Sequence, residues 1–441
     1  MQRLLVAFYG DDFTGSAENL AQFSRHGLRG RLFFSSANRH EILHMASELD
    51  VIGLAGTARG LSPAAITTEV DPALSILEEL NPLIKQFKVC STFDSSPTMG
   101  SIGHVMELAR QRWPGCALPV LPATPAFGRY TAFSHLFTRF QGEICRLDQN
   151  LAMVHHPSTP MSEPDLRRHL AAQTSIPPAA ITLLDYRSAD GGWQQLLSSV
   201  QDERFVVLDA TDRHELQHAT ELILKLAERH PTLAVAAQGL ADALGRILTR
   251  EATEREPLPT TYSRVERLLV LSGSCSPQTR SQLLHFEAQG GVLVAAPPEE
   301  ALLDPLGLAS RLATKVTKAF EIGSGVAVTT TSNEADVIAG LSSERLALSV
   351  GCVFAQLALE LRKGSGIQRI VFAGGDTSSH AMRQLGANAL ELVAFDEAQG
   401  GHLCRLLATG SPMEGLEVVL KGGQIGGEDF FSRVQRGTHM E

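Results

Sequence analysis

Residues 3–27 read RLLVAFYGDDFTGSAENLAQFSRHG, and this stretch decides the fold. RLLVAFY is a short, mostly apolar run of the kind that forms a strand buried on both faces. GDDFTG breaks that run with two carboxylates and two glycines. SAENLAQFS then spaces its apolar residues for a helix, which Gly27 stops. Strand, turn and amphipathic helix in this order predict a βαβ unit and a parallel sheet covered by helices.

The same alternation extends along the chain. Strands are expected at 29–34, 49–55, 87–90, 117–121, 204–210 and 233–237. Helices are expected near 72–86, 101–112, 212–229 and 239–250. The segment 251–266, EATEREPLPTTYSRVE, is charged, carries prolines and has no period, so it reads as a linker. The pattern restarts with RLLVLSGSCS at 267–276. A helix follows at 277–289, a strand at 291–296, helices near 299–319 and 347–363, then RIVFAGGDTSS at 369–379 with a helix over 377–386. The expected fold class is therefore α/β: two lobes, 1–250 and 267–441, with mostly parallel sheets flanked by helices. Ligand sites in such sheets gather at the carboxyl ends of strands, which places the expected active site in the interdomain cleft.

Composition narrows the function. The chain has 441 residues, 44% of them hydrophobic, enough to bury sizeable cores. Its formal net charge of −10 speaks against a nucleic-acid or anionic-membrane partner. No run of roughly 18 apolar residues suggests a membrane span. The six cysteines show no CxxC spacing, which points to reduced thiols and a cytoplasmic setting. Nothing in the sequence sets the oligomeric state, and a homo-oligomer stays open.

Five loops follow strands and carry chemistry. In GDDFTG, Asp11 and Asp12 could orient hydroxyls, or one could accept a proton from an alcohol; the plain alternative is a helix cap. In AGTARG (55–60), Arg59 could clamp a carboxylate with its planar fork, or simply be solvated. STFDSS (91–96) offers Ser91, Thr92, Asp94, Ser95 and Ser96 to a polyhydroxylated ligand, or to its own backbone. SGSCS (272–276) and AGGDT (373–377) each join a strand to a helix start, the geometry that receives phosphate. Lys421, one of only seven lysines, precedes a double glycine and could neutralise phosphoryl charge. There is neither a Walker A loop nor a GxGxxG fingerprint. HELQH (214–218) matches the zinc-protease pattern but lacks a third ligand downstream, so no metal site is assigned.

Taken together, these elements resemble the four-carbon acid sugar kinase family. The family's I-A-D-D-[LF]-T-G-A opening is matched by Tyr9-Gly10-Asp11-Asp12-Phe13-Thr14-Gly15-Ser16. GTARG, STFDSS with GSIG (100–103), the TPM-bearing segment 155–174, SGSCSPQT, GGDTS and LKGGQIGG follow in family order. Three departures stand out: Tyr9-Gly10 for an apolar–Ala pair, no Arg in SSPTMGS, and GGDT for GGET. They fall mostly on the substrate side.

The resemblance implies an N-terminal acid-sugar domain over 1–250 and a nucleotide-binding domain over 267–441. It implies ATP-dependent phosphorylation of the terminal hydroxyl of threonate, erythronate or a 3-oxo-tetronate, with Mg2+. Asp11, Asp12, Arg59, Ser91, Thr92, Phe93 and Asp94 would bind the acid sugar, with Asp12 catalytic. Ser272, Gly374, Gly375, Asp376, Thr377, Lys421 and Gly423 would bind ATP. The alternative is a non-catalytic two-lobed protein that binds the same ligands.

Overall fold

The computed structural model describes residues 4–140, 142–156, 158–188, 190–201, 203–250, 256–330, 343–396, 400–423 and 425–438; for Ser343, Glu344 and Asp376 only the backbone is described. Two compact units emerge. The first comprises Met1–Gly30 and Ser36–Pro257; the second comprises Arg31–Ser35 and Leu258–Glu441.

The first unit is built on a parallel sheet. Its strands lie in the order Val51–Ala55, Val6–Gly10, Ile84–Lys88, Leu233–Ala236, Leu118–Leu121, Phe205–Leu208, Pro178–Ile181. Val6–Gly10 is buried along its whole length, as a central parallel strand between two helix layers should be. Helix Phe13–Ser24 packs on helix Gln238–Thr249, and His26 and Arg25 reach Asp242 across that contact.

The helix expected near 72–86 runs Pro63–Leu80 instead, and Ile84–Lys88 is a strand. Pro63 opens the helix at its first position, and Asn81 closes it in the left-handed region at φ 41°. Between Leu118–Leu121 and Pro178–Ile181 the chain forms an antiparallel meander, Arg129–Ala132, His135–Phe140 and Glu143–Arg146, which the sequence pattern did not announce. Its first turn places Phe133 and Ser134 at φ 50° and 64°. The buried Asp209 carboxylate takes the backbone N–H groups of Phe133, Ser134 and Leu183 and ties that turn to the sheet.

The second unit carries the strands Val292–Ala295, Gly325–Thr329, Leu268–Ser272, Arg369–Ala373 and Glu417–Lys421, all parallel. Leu403–Leu407 and Ala389–Ala394 continue it antiparallel. Leu32 and Phe33, from the strand Gly30–Phe33, pair with Leu390 and Ala389. The helical region expected near 299–319 is two helices, Pro298–Leu303 and Pro305–Ile322, because Pro305 cannot continue the first and Asp304 caps the second.

Residues 251–255 of the expected linker lie outside the described residues. Tyr262 and Val265 from its second half join the core of this unit. Arg369, almost fully buried, lies over the Tyr262 ring and bonds Glu417 and the carbonyls of Ser263 and Val434. No helix among the described residues is long and apolar enough to cross a membrane.

Candidate functional site

In the first unit, the adjacent strands Val51–Ala55, Val6–Gly10 and Ile84–Lys88 end together. Their carboxyl ends deliver GTARG, GDDFTG and the Cys90–Ser96 loop to one place. Asp12 is the N-cap of helix Phe13–Ser24: its Oδ1 accepts from the Gly15 N–H at 3.1 Å. Capping does not exhaust it, because the same Oδ1 accepts from Arg59 Nη2 at 2.7 Å. Arg59 also closes on Asp11 through Nε at 3.1 Å and Nη2 at 2.8 Å. The fork expected to meet a ligand carboxylate is thus engaged with two carboxylates of the chain itself. Asp11 further accepts from the Cys90 N–H.

Lys88 completes the group, and the sequence reading did not assign it. It is 2% exposed, at the end of its strand and in register with Gly10. A Cβ on Gly15 would meet both the Asp12 carboxylate and Lys88 Nζ, so only glycine lets them approach here. A lysine closing an otherwise buried strand was the available signal. Burial pushes the Asp12 carboxyl up, but Arg59, Lys88 and the Gly15 N–H outweigh it and hold Asp12 below the usual range. Burial, reinforced by Asp12, moves Asp11 the other way. The two carboxyls are therefore shifted in opposite directions, Asp12 down and Asp11 up.

The Cys90–Ser96 loop packs beside this pair. Thr92 donates to Asp94 at 2.7 Å, and the Cys90 thiol lies 2.9 Å from Thr92 Oγ1. Burial, then Asp94, pushes Cys90 up to about 11, so it stays a thiol. Phe93 is fully buried at φ 59°, a conformation that costs a non-glycine residue energy and turns the loop back on itself. Its ring meets His169 edge-on, and His169 Nε2 lies 2.9 Å from Ser95 Oγ. Ser91 is half-buried.

The Tyr9-Gly10 departure from the family pattern is accounted for by packing. A Cβ on Gly10 would collide with Ser16 Oγ, so Gly10 and Ser16 exchange bulk across one contact. Tyr9 donates to Glu69 at 2.9 Å, and Glu69 also accepts from the Thr57 N–H and hydroxyl. Glu69 thereby fixes the loop that carries Arg59.

In the second unit, the adjacent strands Leu268–Ser272, Arg369–Ala373 and Glu417–Lys421 deliver three glycine-bearing loops. The Gly273 N–H bonds the Ala373 carbonyl, and the Gly374 N–H bonds the Lys421 carbonyl. Gly374 has φ 119° and caps helix Gly375–Gln384. A Cβ on Gly273 would collide with Thr377, one on Gly374 would press on the Ser274 N–H, and nothing stands near Gly375. Gly423 lies against Ser274 and Ser276. The Ser272 and Ser378 hydroxyls are buried without a partner. The Asp376 side chain lies outside the described residues.

Lys421 is fully buried. Its ammonium bonds Thr279 Oγ1 and the Gly422 carbonyl, each at 3.0 Å, and burial lowers it to about 8. In this conformation it shapes the glycine turn. Gln282, which the sequence reading passed over, holds the far side by donating to the carbonyls of Ile425, Gly426 and Gly427. Glycine cradles and unpartnered hydroxyls at strand ends fit a phosphate chain.

HELQH opens helix Arg213–Ala227. Asp212 accepts from the Glu215 N–H while Glu215 accepts from Thr211, a cap rather than a metal centre. Among the described residues, no group of three acidic, His or Cys side chains stands together to hold a metal ion.

Carboxylates paired with basic groups at the strand ends of one unit and glycine-bearing loops at those of the other are materials a carbohydrate kinase would use. Residues 6–244 match the sugar-binding N-terminal domain and 269–431 the nucleotide-binding C-terminal domain. The chain belongs to the four-carbon acid sugar kinase family. It is 34% identical to the 3-oxo-isoapionate kinase of Paraburkholderia graminis, over 98% of this chain and 94% of that one. It is 29% identical to the 3-oxo-tetronate kinase of Pseudomonas fluorescens, over 98% and 96%. The crystal structure of a Haemophilus influenzae protein shares the fold at a TM-score of 0.70 and 23% identity, covering 97% of this chain and 99% of that one.

Proposed function

We propose that the chain transfers the terminal phosphoryl group of ATP to a hydroxyl of a small 3-oxo sugar acid. The observation that carries this reading is Asp12, held ionised at a strand end by Arg59, Lys88 and a helix N-terminus. Both N–H bonds to Asp12 fall on Oδ1. Oδ2 is the oxygen we assign to the acceptor hydroxyl, orienting it and taking its proton as its oxygen bonds phosphorus and the bond to ADP breaks. Asp11 and Arg59 keep Asp12 in place. Lys88 offsets negative charge gathering at the attacking oxygen. Thr92 and Asp94 contact the sugar's hydroxyls, and Ser91 and Phe93 shape that pocket.

Phosphoryl transfer asks for positioning and charge neutralisation more than for covalent chemistry. On the donor side, N–H groups of the loops at Gly273, Gly374–Thr377 and Gly423 would cradle the phosphates, with Ser272 at the base. Lys421 would act by holding the turn. Magnesium would arrive as the nucleotide's complex, its ligands largely phosphate oxygens and water.

The 3-oxo acids named for two relatives favour that substrate class over simple threonate or erythronate. A panel of 3-oxo-tetronate, 3-oxo-isoapionate, threonate and erythronate, read as ADP release, tests this. Turnover of a 3-oxo acid is expected. Folded, ATP-binding protein that turns over none of the four would refute the reading.

A further inference from the structure

Charge accounting in the first unit points to a residue that neither motif reading nor family pattern singled out. A sugar acid brings a carboxylate into a site that already holds Asp11, Asp12 and Asp94. Arg59 already faces two carboxylates, with its Nε and Nη2 closed on Asp11 and Asp12, so little of its charge is left for a third. Lys88 lies against Asp12 and the Gly15 backbone, at the reacting end.

One further cation comes from the same sheet edge. Arg129 opens the first strand of the antiparallel meander. Its backbone pairs with Thr124, just past the carboxyl end of strand Leu118–Leu121. Only Leu233–Ala236 separates that strand from the one leading into Cys90–Asp94. The Arg129 guanidinium lies within electrostatic range of Asp94 and Cys90, with Cys145 and Tyr130 as its other titratable neighbours.

The hydrogen bonds of Arg129 are one-sided. Nη1 donates to the carbonyls of Phe127 and Gly128, in the turn just before it. Nε is buried with no partner. Among the described residues nothing bonds Nη2 and no carboxylate lies within ion-pair distance. The free edge, Nε with Nη2, is one that a guanidinium can use to hold a carboxylate through two parallel bonds. A half-buried guanidinium with its Nε out of water and no carboxylate within ion-pair distance is costly, so a site that retains one gains when an anion arrives. Burial also pulls its pKa below the usual guanidinium value, the mark of a cation short of counter-charge.

We infer that Arg129 binds the carboxylate of the sugar acid through its Nε–Nη2 edge, fixing the acid end of the substrate while the hydroxyl end meets Asp12. This rests on the sugar-acid kinase reading above and adds the residue that selects for an acid over a neutral sugar derivative. The neighbouring Asp94 would discourage any anion that does not engage the Arg129 fork.

The test pairs each substrate with its carboxamide, the same molecule with the charge removed. For wild type, kcat/KM should favour the acid by roughly 10- to 100-fold, the range expected of a charge-assisted pair. In Arg129→Gln the acid's KM should rise by about that factor, the preference should collapse, and the amide's kinetics and the ATP KM should stay near wild type. Arg129→Lys, which restores charge without the fork, should recover part of the preference. A purely structural Arg129, capping its turn, would instead lower acid and amide alike.

If wild type turns over the acid and Arg129→Gln keeps the full preference, the Arg129 assignment is wrong and the kinase reading stands. If wild type turns over none of the four acids, the kinase reading falls and Arg129 is judged by binding alone. Tetronate should then raise the melting temperature more than tetronamide in wild type but not in Arg129→Gln. Equal acid-dependent protection in both proteins would overturn it.

Discussion

The two candidate sites are built from opposite materials. In the first unit the groups are charged side chains: Arg59 is locked to Asp11 and Asp12 by bonds of 2.7–3.1 Å, with buried Lys88 beside them. In the second they are glycines, hydroxyls and backbone N–H groups, and Lys421, the one cation assigned there, is buried behind the loop. A triphosphate chain is the same in every kinase, so a backbone cradle can serve it. A sugar acid varies in length, oxidation and stereochemistry, and side chains are what sequence change can adjust. Two of the three departures, at Tyr9-Gly10 and the SSPTMGS loop, fall in the first unit, and GGDT falls in the second.

Substitutions should separate the two sites, and the largest effect belongs to Asp12. Asn remains a good helix cap, so Asp12→Asn removes charge and proton acceptance while keeping the cap. Its kcat should fall by roughly 10^2- to 10^4-fold with ATP affinity and melting temperature near wild type. Lost ATP binding would blur the contrast.

Gly273→Ala attacks the other side. Its Cβ would collide with Thr377, and the ATP KM should rise about tenfold or more, equivalent to about 1.4 kcal/mol, with the acid's KM little changed. Equal effects on both KM values would show that the loops are not dedicated to the nucleotide.

Smaller effects sharpen the first site. Glu69→Gln weakens the hold on Thr57 and Tyr9, where each hydrogen bond is worth about 1 kcal/mol. Titration of the acid should show a KM increase of a few fold, with the ATP KM unmoved.

His169 supplies a pH handle. Burial lowers its pKa to about 4, so the folded state binds fewer protons than the unfolded one, whose value is near 6.5. Its contribution to stability is present above about pH 6.5 and is lost as pH falls towards 4, by at most about 3 kcal/mol. Buried Asp209, raised to about 6, contributes with the opposite sign over much of the same window. Comparing wild type with His169→Gln cancels that term. The variant should lose less melting temperature between pH 7 and 4.5, and parallel losses would remove His169 from the account.

Much of this was legible in order of appearance. Apolar runs and period-3.6 patterns found most of the parallel strands and most helices, because strands buried on both faces between helices read as unbroken apolar runs; Pro178–Ile181 and Gly325–Thr329 were not among the expected strands. The loops at 10–16, 56–60, 91–96, 272–276 and 373–377 were legible because glycine, hydroxyl and acid residues cluster where strands end. The start of helix Pro63–Leu80 was missed, and its end overran into a strand, since Asn81 in the left-handed region leaves only a weak local sign. Lys88 was seen only as one of few lysines, because its meaning lies in what Gly15 allows it to touch.

By itself, then, the sequence determined the α/β class, the order of elements and which loops carry polar chemistry. Those follow from local hydrophobic periodicity and backbone freedom, properties a residue shares with its near neighbours in the chain. Only the tertiary structure decided that Arg59 is engaged by Asp11 and Asp12, that Lys421 points into the core, and that Leu32 and Phe33 pair with Leu390 and Ala389. Those outcomes depend on contacts between residues tens to hundreds of positions apart, where burial and charge pairing outweigh anything local pattern can record.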